Sequence, residues 1–162
     1  MKAIFPGSFN PIHNGHKEII FKALSIFDDL IIYVADREEK DYKWTREERK
    51  QMVVDSISDM KLTNGKSIIV VTQKDHDELT PYYCKENNII NVIRGIRQPK
   101  IDESERNLAK RYLEKNNKLQ FTYITTNQPD VSSTLIKYLV KNGEDIEQYV
   151  SSYIVDNLKK AL

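Results

Sequence analysis

Short runs of β-branched and aromatic residues alternate with helical patterns along almost the whole chain. Five runs predict strands, at residues 2–5, 30–35, 67–72, 89–93 and 119–125. Two of them, 30–34 and 68–71, are near-continuously apolar, which is typical of strands buried on both faces. The patterns between and after them predict helices at 15–27, 45–57, 78–87, 102–116, 132–142 and 151–162. This alternation favours a doubly wound, parallel, five-stranded sheet with helices on both faces, an α/β fold of the Rossmann-like kind.

Composition limits both the size of the fold and the classes of partner. The 162 residues suit a single domain spanning 1–162, and we find no repeat or linker. A net charge of +1 gives no general electrostatic reason to expect nucleic acid or a membrane surface as partner. The single cysteine, Cys84, excludes an internal disulfide and is expected to be a small buried residue in a reducing compartment. With neither a leader nor a membrane-length apolar run, we expect a cytoplasmic protein.

A glycine-rich segment with two histidines follows the first predicted strand. It reads Gly7-Ser8-Phe9-Asn10-Pro11-Ile12-His13-Asn14-Gly15-His16, and it holds two of the five glycines and two of the three histidines. Because the first N–H groups of a helix lack partners and carry partial positive charge, this segment suits a polyphosphate. A tight turn with a capping histidine is the structural alternative. The third histidine, His76, lies between two aspartates and is expected on the surface.

Two further polar segments are expected at strand ends, where ligands of such sheets bind. Arg94-Gly95-Ile96-Arg97 follows the fourth predicted strand, and Ser132-Ser133-Thr134 follows the fifth. The arginine pair favours anion binding over an ordinary surface position. The hydroxyl residues are either phosphate ligands or the N-cap of the next helix.

The segment from Gly7 to His16 resembles the signature of the HxGH nucleotidyltransferase superfamily, whose members transfer a nucleotidyl group and release pyrophosphate. Val131-Ser132-Ser133-Thr134, with Lys137 one turn on, is similar to the later signature of that superfamily. Asn91-Val92-Ile93-Arg94-Gly95-Ile96-Arg97 resembles the phosphopantetheine adenylyltransferase family of coenzyme A biosynthesis. The resemblance covers essentially the whole chain. It implies transfer of an adenylyl group from ATP to 4′-phosphopantetheine, giving dephospho-coenzyme A and pyrophosphate.

The resemblance also implies roles for individual residues. The implied catalytic set is His16, Lys40 and Arg94, with His16 stabilising charge on the α-phosphate and Lys40 meeting the phosphates as a point charge. The implied ATP-binding residues are Gly7, Ser8, Phe9, His16, Arg97, Glu105, Ser132, Ser133 and Thr134. The implied acceptor-binding residues are Ser8, Lys40, Leu79, Thr80 and Arg94. No cluster of metal ligands is evident, so Mg²⁺ is expected to arrive with the ATP.

Several departures from the family pattern leave alternatives open. Asn10 and His13 resemble nicotinate or nicotinamide mononucleotide adenylyltransferases, and Ser104 and Gln128 stand where the family often has aromatic residues. The alternatives are an adenylyltransferase for a pyridine mononucleotide, a cytidylyltransferase, and a nucleotide- or coenzyme-A-binding regulator without turnover. The resemblance further implies a homohexamer and the possibility of feedback by coenzyme A.

Overall fold

The computed structural model of the chain describes residues 1–37, 42–75 and 77–160. Within them the strands are β1 (Lys2–Gly7), β2 (Asp29–Val34), β3 (Ser67–Thr72), β4 (Asn91–Ile96) and β5 (Gln120–Thr125). The helices are α1 (Asn14–Leu24), α2 (Arg46–Ile57), α3 (Thr80–Glu86), α4 (Glu103–Lys115), α5 (Ser133–Lys141) and α6 (Ser152–Lys160). The predicted succession of strands and helices is therefore confirmed, with shifts of a few residues at element ends. Among these helices none has the length and apolar character needed to cross a membrane.

All strand pairs of the sheet are parallel, and their spatial order is β3-β2-β1-β4-β5. The chain moves outward from β1 to β3, and then returns to the other side of β1 to form β4 and β5. The direction of winding thus reverses between β1 and β4. Ligands of open α/β sheets bind beyond the carboxyl ends of the strands at such a reversal.

Helices cover both faces of the sheet, as the sequence predicts. Along β1, Ala3 and Phe5 pack into one apolar cluster, to which α1, α2, α5 and α6 contribute. Ile4, between them, packs into a second cluster on the opposite face with Cys84 of α3. Alternate side chains of a strand point to opposite faces, so this central strand is buried on both sides. Cys84 is buried, as expected, and burial raises its pKa to about 12.

One boundary prediction is wrong and bears on the site. The fourth strand was expected to end at Ile93, with Arg94-Gly95-Ile96-Arg97 following it. In the structure β4 continues to Ile96, and Gly95 pairs with Ile124 of β5. Pairing with β5 therefore overrides the low strand propensity of glycine. As a result, Arg94 projects from the strand itself, and Arg97 is the first residue beyond it.

Candidate active site

Two cavities open at the carboxyl edge of the sheet and share one wall. The larger has a volume of about 720 Å³ and is lined by the histidines and by Arg97 and Glu105, among others. The smaller has a volume of about 300 Å³ and extends toward α3 and α4. The wall common to both consists of Pro6, Gly7, Ser8, Arg37 and Arg94. The carboxyl ends of β1 and β4 therefore separate two adjacent cavities. A ligand in one cavity would lie next to a ligand in the other.

His13 and His16 cap the start of α1 reciprocally. The backbone N–H of His16 donates to Nδ1 of His13 at 3.4 Å, and that of His13 donates to Nδ1 of His16 at 3.2 Å. The two rings stack with their centroids 3.8 Å apart. Because each Nδ1 accepts a hydrogen bond, the proton of each neutral imidazole lies on Nε2. The capping alternative is thus confirmed, and it is compatible with each Nε2–H acting as a donor.

The surroundings of the pair keep both imidazoles neutral. Burial, followed by the charge of Arg97, lowers the pKa of His13 from 6.5 to about 4. Burial, the neighbouring His13 and Arg97 lower the pKa of His16 well below its ordinary value. A neutral imidazole donates one hydrogen bond and does not change its charge between pH 6 and 8. The site therefore presents the N–H dipoles of two neutral imidazoles, and its positive charge comes from arginines such as Arg94 and Arg97.

Two glycines of the segment allow close packing around these rings. A Cβ on Gly15 would lie 2.9 Å from Cε1 of His13, which a real side chain essentially never does. A Cβ on Gly7 would lie 3.0 Å from Cε2 of Phe9, whose ring packs against His16 with centroids 4.9 Å apart. The glycine of the His-x-Gly-His pattern is thus required by the His13 ring.

Arg94 is held by a carboxylate from α4. Its Nε and Nη2 donate to the two carboxylate oxygens of Glu105 at 2.9 and 2.8 Å, and Nη1 donates to the carbonyl of Pro6 at 3.3 Å. Burial alone would lower the pKa of Arg94, but the hydrogen bonds and charge of Glu105 raise it. A planar guanidinium held in this two-bond geometry is well oriented for a phosphate. In the structure, then, Glu105 orients Arg94.

A buried arginine that sequence reasoning missed supports the shared wall from behind. Arg49 of α2 is only 1% exposed. Its guanidinium donates to the carbonyls of Ser8 at 2.7 Å and Trp44 at 3.1 Å, and it pairs with the carboxylate of Asp36. Ser8 and Asp36 both line the smaller cavity. Arg49 therefore connects the ends of β1 and β2 beneath that cavity.

The smaller cavity contains the expected acceptor residues and two unexpected cations. Leu79 and Thr80 line it at the start of α3, as does Leu108 of α4. Arg111 and Lys115 of α4 also line it, and sequence reasoning missed both. The available signal was their spacing of three and seven residues from Leu108, which places all three on one helix face.

The hydroxyl residues before α5 form the N-cap of that helix, which is one of the two alternatives that the sequence leaves open. Val131 lines the larger cavity, but Ser132, Ser133 and Thr134 are not among the described residues that do so. The side chain of Ser132 accepts from the N–H of Leu135 at 3.0 Å and caps α5, and Ser133 donates to the carbonyl of Pro11 at 2.8 Å. This segment is therefore an N-cap fastened to the glycine-rich segment.

Most of the remaining residues that were predicted to bind ATP line the same cavity as the histidines, and Lys40 lies outside the described residues. Gly7, Ser8, Phe9, Arg97 and Glu105 all line the larger cavity, as do Ser104 and Gln128. Lys40 and His76 lie outside the described residues. Among the residues that are described, no group of three or more His, Cys, Asp or Glu side chains is arranged to hold a metal ion.

Comparison with known proteins identifies the family of the chain. The model of the cytidylyltransferase-like family matches residues 4–139. A phosphopantetheine adenylyltransferase from Thermotoga neapolitana is 30% identical over all of this chain and 97% of its own length. One from Flavobacterium psychrophilum is 32% identical over 89% of this chain and 91% of its own. The chain is therefore a cytidylyltransferase-like nucleotidyltransferase. Within that class it belongs to the phosphopantetheine adenylyltransferase family.

Solved structures support the fold. The nicotinic acid mononucleotide adenylyltransferase of Plasmodium falciparum, complexed with NaAD, matches with a TM-score of 0.67 at 20% identity, over 99% of this chain and 98% of that one. A bifunctional NMN adenylyltransferase/ADP ribose pyrophosphatase from Francisella tularensis matches with a TM-score of 0.71 at 19% identity, over 98% of this chain and 48% of that one. At these identities the likeness describes the architecture alone.

Proposed function

We propose that this protein transfers the adenylyl group of ATP to the phosphate of 4′-phosphopantetheine. The observation that carries the proposal is the wall shared by the two cavities, formed by Ser8, Arg94 and their neighbours. ATP would occupy the larger cavity and the acceptor the smaller one, so the acceptor phosphate and the α-phosphate would meet at this wall. The family to which the chain belongs supports this choice of acceptor.

The proposed chemistry is a direct displacement at phosphorus. An oxygen of the acceptor phosphate attacks the α-phosphorus, the bond from that phosphorus to the bridging oxygen breaks, and pyrophosphate leaves. The attacking oxygen is already anionic, so no general base is needed. The protein supplies orientation and stabilisation of charge. Ser8 and Arg94 would hold the attacking phosphate, while Leu79 and Thr80 would contact the arm of the acceptor.

His16 would act as a donor to the α-phosphate through Nε2–H. Its Nδ1 is occupied by the backbone of His13, which fixes both the tautomer and the ring orientation. A preorganised donor of this kind stabilises developing charge without reorganisation during the reaction. Arg97 would neutralise the β- and γ-phosphates from the larger cavity, as would Lys40. Ser132, Ser133 and Thr134 would contribute through the N-terminus of α5.

Mg²⁺ would arrive with ATP, held mainly by phosphate oxygens and water. The two carboxylates that the described residues place in the lining of the larger cavity are already engaged: Glu105 binds Arg94, and Asp102 caps α4 by accepting from the N–H of Glu105. The described residues therefore fit a metal bound to phosphate better than one bound in a protein cage. The ion would supply charge neutralisation on the triphosphate.

Three further parts belong to the proposal: a cytoplasmic location, which the single cysteine favours, and feedback by coenzyme A and a homohexamer, which the family resemblance supports. Coenzyme A would compete for the same two cavities. A homohexamer is consistent with α4, which buries none of its residues within the monomer, and with Tyr82 and Leu113, which are exposed. Light scattering of the purified protein gives the assembly mass directly.

The test of the proposed function measures pyrophosphate release from ATP and Mg²⁺ with 4′-phosphopantetheine or nicotinate mononucleotide. We expect release with the first compound. The pyridine alternative is favoured by His13 and Asn10, and release only with nicotinate mononucleotide would establish it. Binding of both ATP and coenzyme A without any release would establish the regulator.

The role of His16 has its own test. His16→Ala should lower kcat by about 10²–10³-fold, as the loss of an oxyanion-type donor does. His16→Asn keeps an N–H donor near the same position and should recover part of the rate. An unchanged kcat in His16→Ala would refute the role.

A further inference from the structure

One face of α4 extends the wall of the smaller cavity away from Arg94. Leu108, Arg111, Tyr112 and Lys115 all line this cavity. Their spacing of three, four and seven residues places them in a row along the helix. The row begins with an apolar residue and continues with two cations. An acceptor with an uncharged arm would not need two cations in this row.

The two cations have no protein partner in the described parts of the chain. None of the ion pairs or hydrogen bonds found there involves the side chain of Arg111 or Lys115. Among the described residues of the lining the one acidic side chain is that of Asp36, which is already paired with Arg46 and Arg49. In the described part of the chain, the far end of the cavity therefore carries two cations with no anionic partner, although the whole chain has a net charge of only +1.

The distances of these two cations from Glu105, which holds Arg94, can be estimated along the axis of α4. Arg94 is fixed to Glu105 on the first turn of α4. At 1.5 Å per residue, Arg111 lies about 9 Å and Lys115 about 15 Å further along the axis. A nine-bond chain is about as long as three extended residues, roughly 10 Å. An acceptor phosphate at Arg94 could therefore be joined by nine bonds to a second group beside Arg111 and Lys115.

We propose that Arg111 and Lys115 form a subsite for a second anion on the acceptor, a carboxylate about nine bonds from the phosphate. This inference rests on the proposed function in assigning the smaller cavity to the acceptor. In 4′-phosphopantothenate a carboxylate stands at this distance, whereas in 4′-phosphopantetheine an uncharged amide stands there. A carboxylate accepts charge-assisted hydrogen bonds, which are about twice as strong as those to a neutral amide. The protein should therefore bind a carboxylate acceptor more tightly than the corresponding amide.

The experiment compares two nearly isosteric compounds by calorimetry without ATP: 4′-phosphopantothenate and the corresponding primary carboxamide. Wild-type protein should bind the carboxylate more tightly. In Arg111→Met and Lys115→Met this preference should fall by about tenfold in the ratio of the two Kd values. Lys110→Met is the matched control, because Lys110 lies on α4 but lines a different cavity, and it should leave the ratio unchanged. Raising the ionic strength should also shrink the wild-type preference.

Equal affinities for the two compounds in wild-type protein would overturn the subsite. So would a preference that survives in both methionine variants. Pyrophosphate release is then measured with each compound and with 4′-phosphopantetheine. If none supports release while the Kd ratio depends on Arg111 and Lys115, the proposed function fails and the anion subsite stands. If only 4′-phosphopantetheine binds and reacts, the function stands and the subsite fails.

Discussion

At the scale of single residues, the carboxylate of Glu105 determines how Arg94 faces the shared wall. Glu105→Gln replaces one anionic oxygen by an amide nitrogen that cannot accept from the guanidinium, so Arg94 loses its two-bond support. We expect KM for the acceptor to rise about tenfold, with a smaller change in kcat, because the phosphate is bound less well. Steady-state kinetics with each substrate varied in turn checks this.

Glu103→Gln is the matched control, because Glu103 lies on the same first turn of α4 and is exposed. It should leave both KM values unchanged. If Glu105→Gln raised KM for ATP alone, Glu105 would serve the nucleotide directly, as the resemblance implies, and its role in orienting Arg94 would be refuted.

The histidines and Arg94 could be found from sequence, but Arg49 could not. The histidines and Arg94 lie in short motifs whose spacing is explained by contacts between near neighbours in the sequence. For example, the ring of His13 leaves no room for a Cβ at Gly15. Arg49 stands in a run of charges on a helix, which is typical of a solvated face. Its burial depends on carbonyls of Ser8 and Trp44 that come from different parts of the chain. Only the assembled fold brings them together.

At the scale of elements, Arg49 fastens α2 to the ends of β1 and β2. Arg49→Met should lower the free energy of unfolding by about 3 kcal/mol, because three carbonyls lose a buried donor and Asp36 keeps only its longer ion pair with Arg46. Lys50→Met, at the neighbouring position of α2, should cost less than about 0.5 kcal/mol. Adding Asp36→Asn to Arg49→Met should recover part of the loss, because it removes a carboxylate that has lost its closer cationic partner. Denaturant unfolding measures all four proteins, and equal losses in Arg49→Met and Lys50→Met would contradict the role.

The N-terminus of α5 allows the capping and phosphate-binding roles of Ser132 to be separated. Aspartate caps a helix as well as serine does, so Ser132→Asp should keep the melting temperature, whereas Ser132→Ala should cost about 1 kcal/mol. If ATP phosphates approach this helix end, the added negative charge should raise KM for ATP about tenfold or more. An unchanged KM in Ser132→Asp would leave Ser132 as a cap alone.

Element types were predictable because each has a local signal, such as the capping box between Thr45 and Glu48 that begins α2. The end of β4 was not, because Arg94-Gly95 has little intrinsic preference for a strand. Its extension depends on pairing with β5, which is contributed by residues 120–125. A local sequence pattern cannot include a partner strand that lies about 30 residues away in the chain.

At the scale of the whole molecule, the neutral histidines make stability depend on pH. The pKa of His13 is about 4 in the folded protein and about 6.5 in the unfolded chain, so below pH 6.5 the unfolded state binds the extra proton. Stability should therefore be unaffected by this group above pH 6.5 and fall as the pH decreases toward 4. The loss at about pH 5 is about 2 kcal/mol from His13, and His16 adds to it in the same direction.

Urea unfolding at about pH 7.5 and about pH 5 measures this dependence. Carboxylates also begin to titrate in this range, so the comparison is made with His13→Asn, which keeps a side chain suited to an N-cap. The variant should lose about 2 kcal/mol less than wild type between the two pH values. An identical loss in both proteins would show that His13 is not held neutral.

The class of fold followed from the alternation of strands and helices, whereas the order of the strands required the structure. Nothing in the sequence of β1 indicates that β2 and β4 both lie beside it. That placement nonetheless creates the reversal of winding, and with it the position of both cavities. The sequence could thus predict which segments would carry phosphate-binding residues. It could not show that α4 would place the cations Arg111 and Lys115 in the lining of the smaller cavity.

The wall common to both cavities has a consequence for inhibition. Under the proposed assignment of the cavities, the product would place its adenylyl group on one side of Ser8 and Arg94 and its pantetheine arm on the other, and so would fill the places of both starting compounds at once. Such a molecule would be a bisubstrate ligand, and we expect it to compete with ATP and with the acceptor alike. A non-hydrolysable mimic of the product that spans this wall would bind through both of its halves, and their covalent linkage would raise its affinity above that of either half. An inhibitor of this protein should therefore occupy both cavities and cross the wall between them.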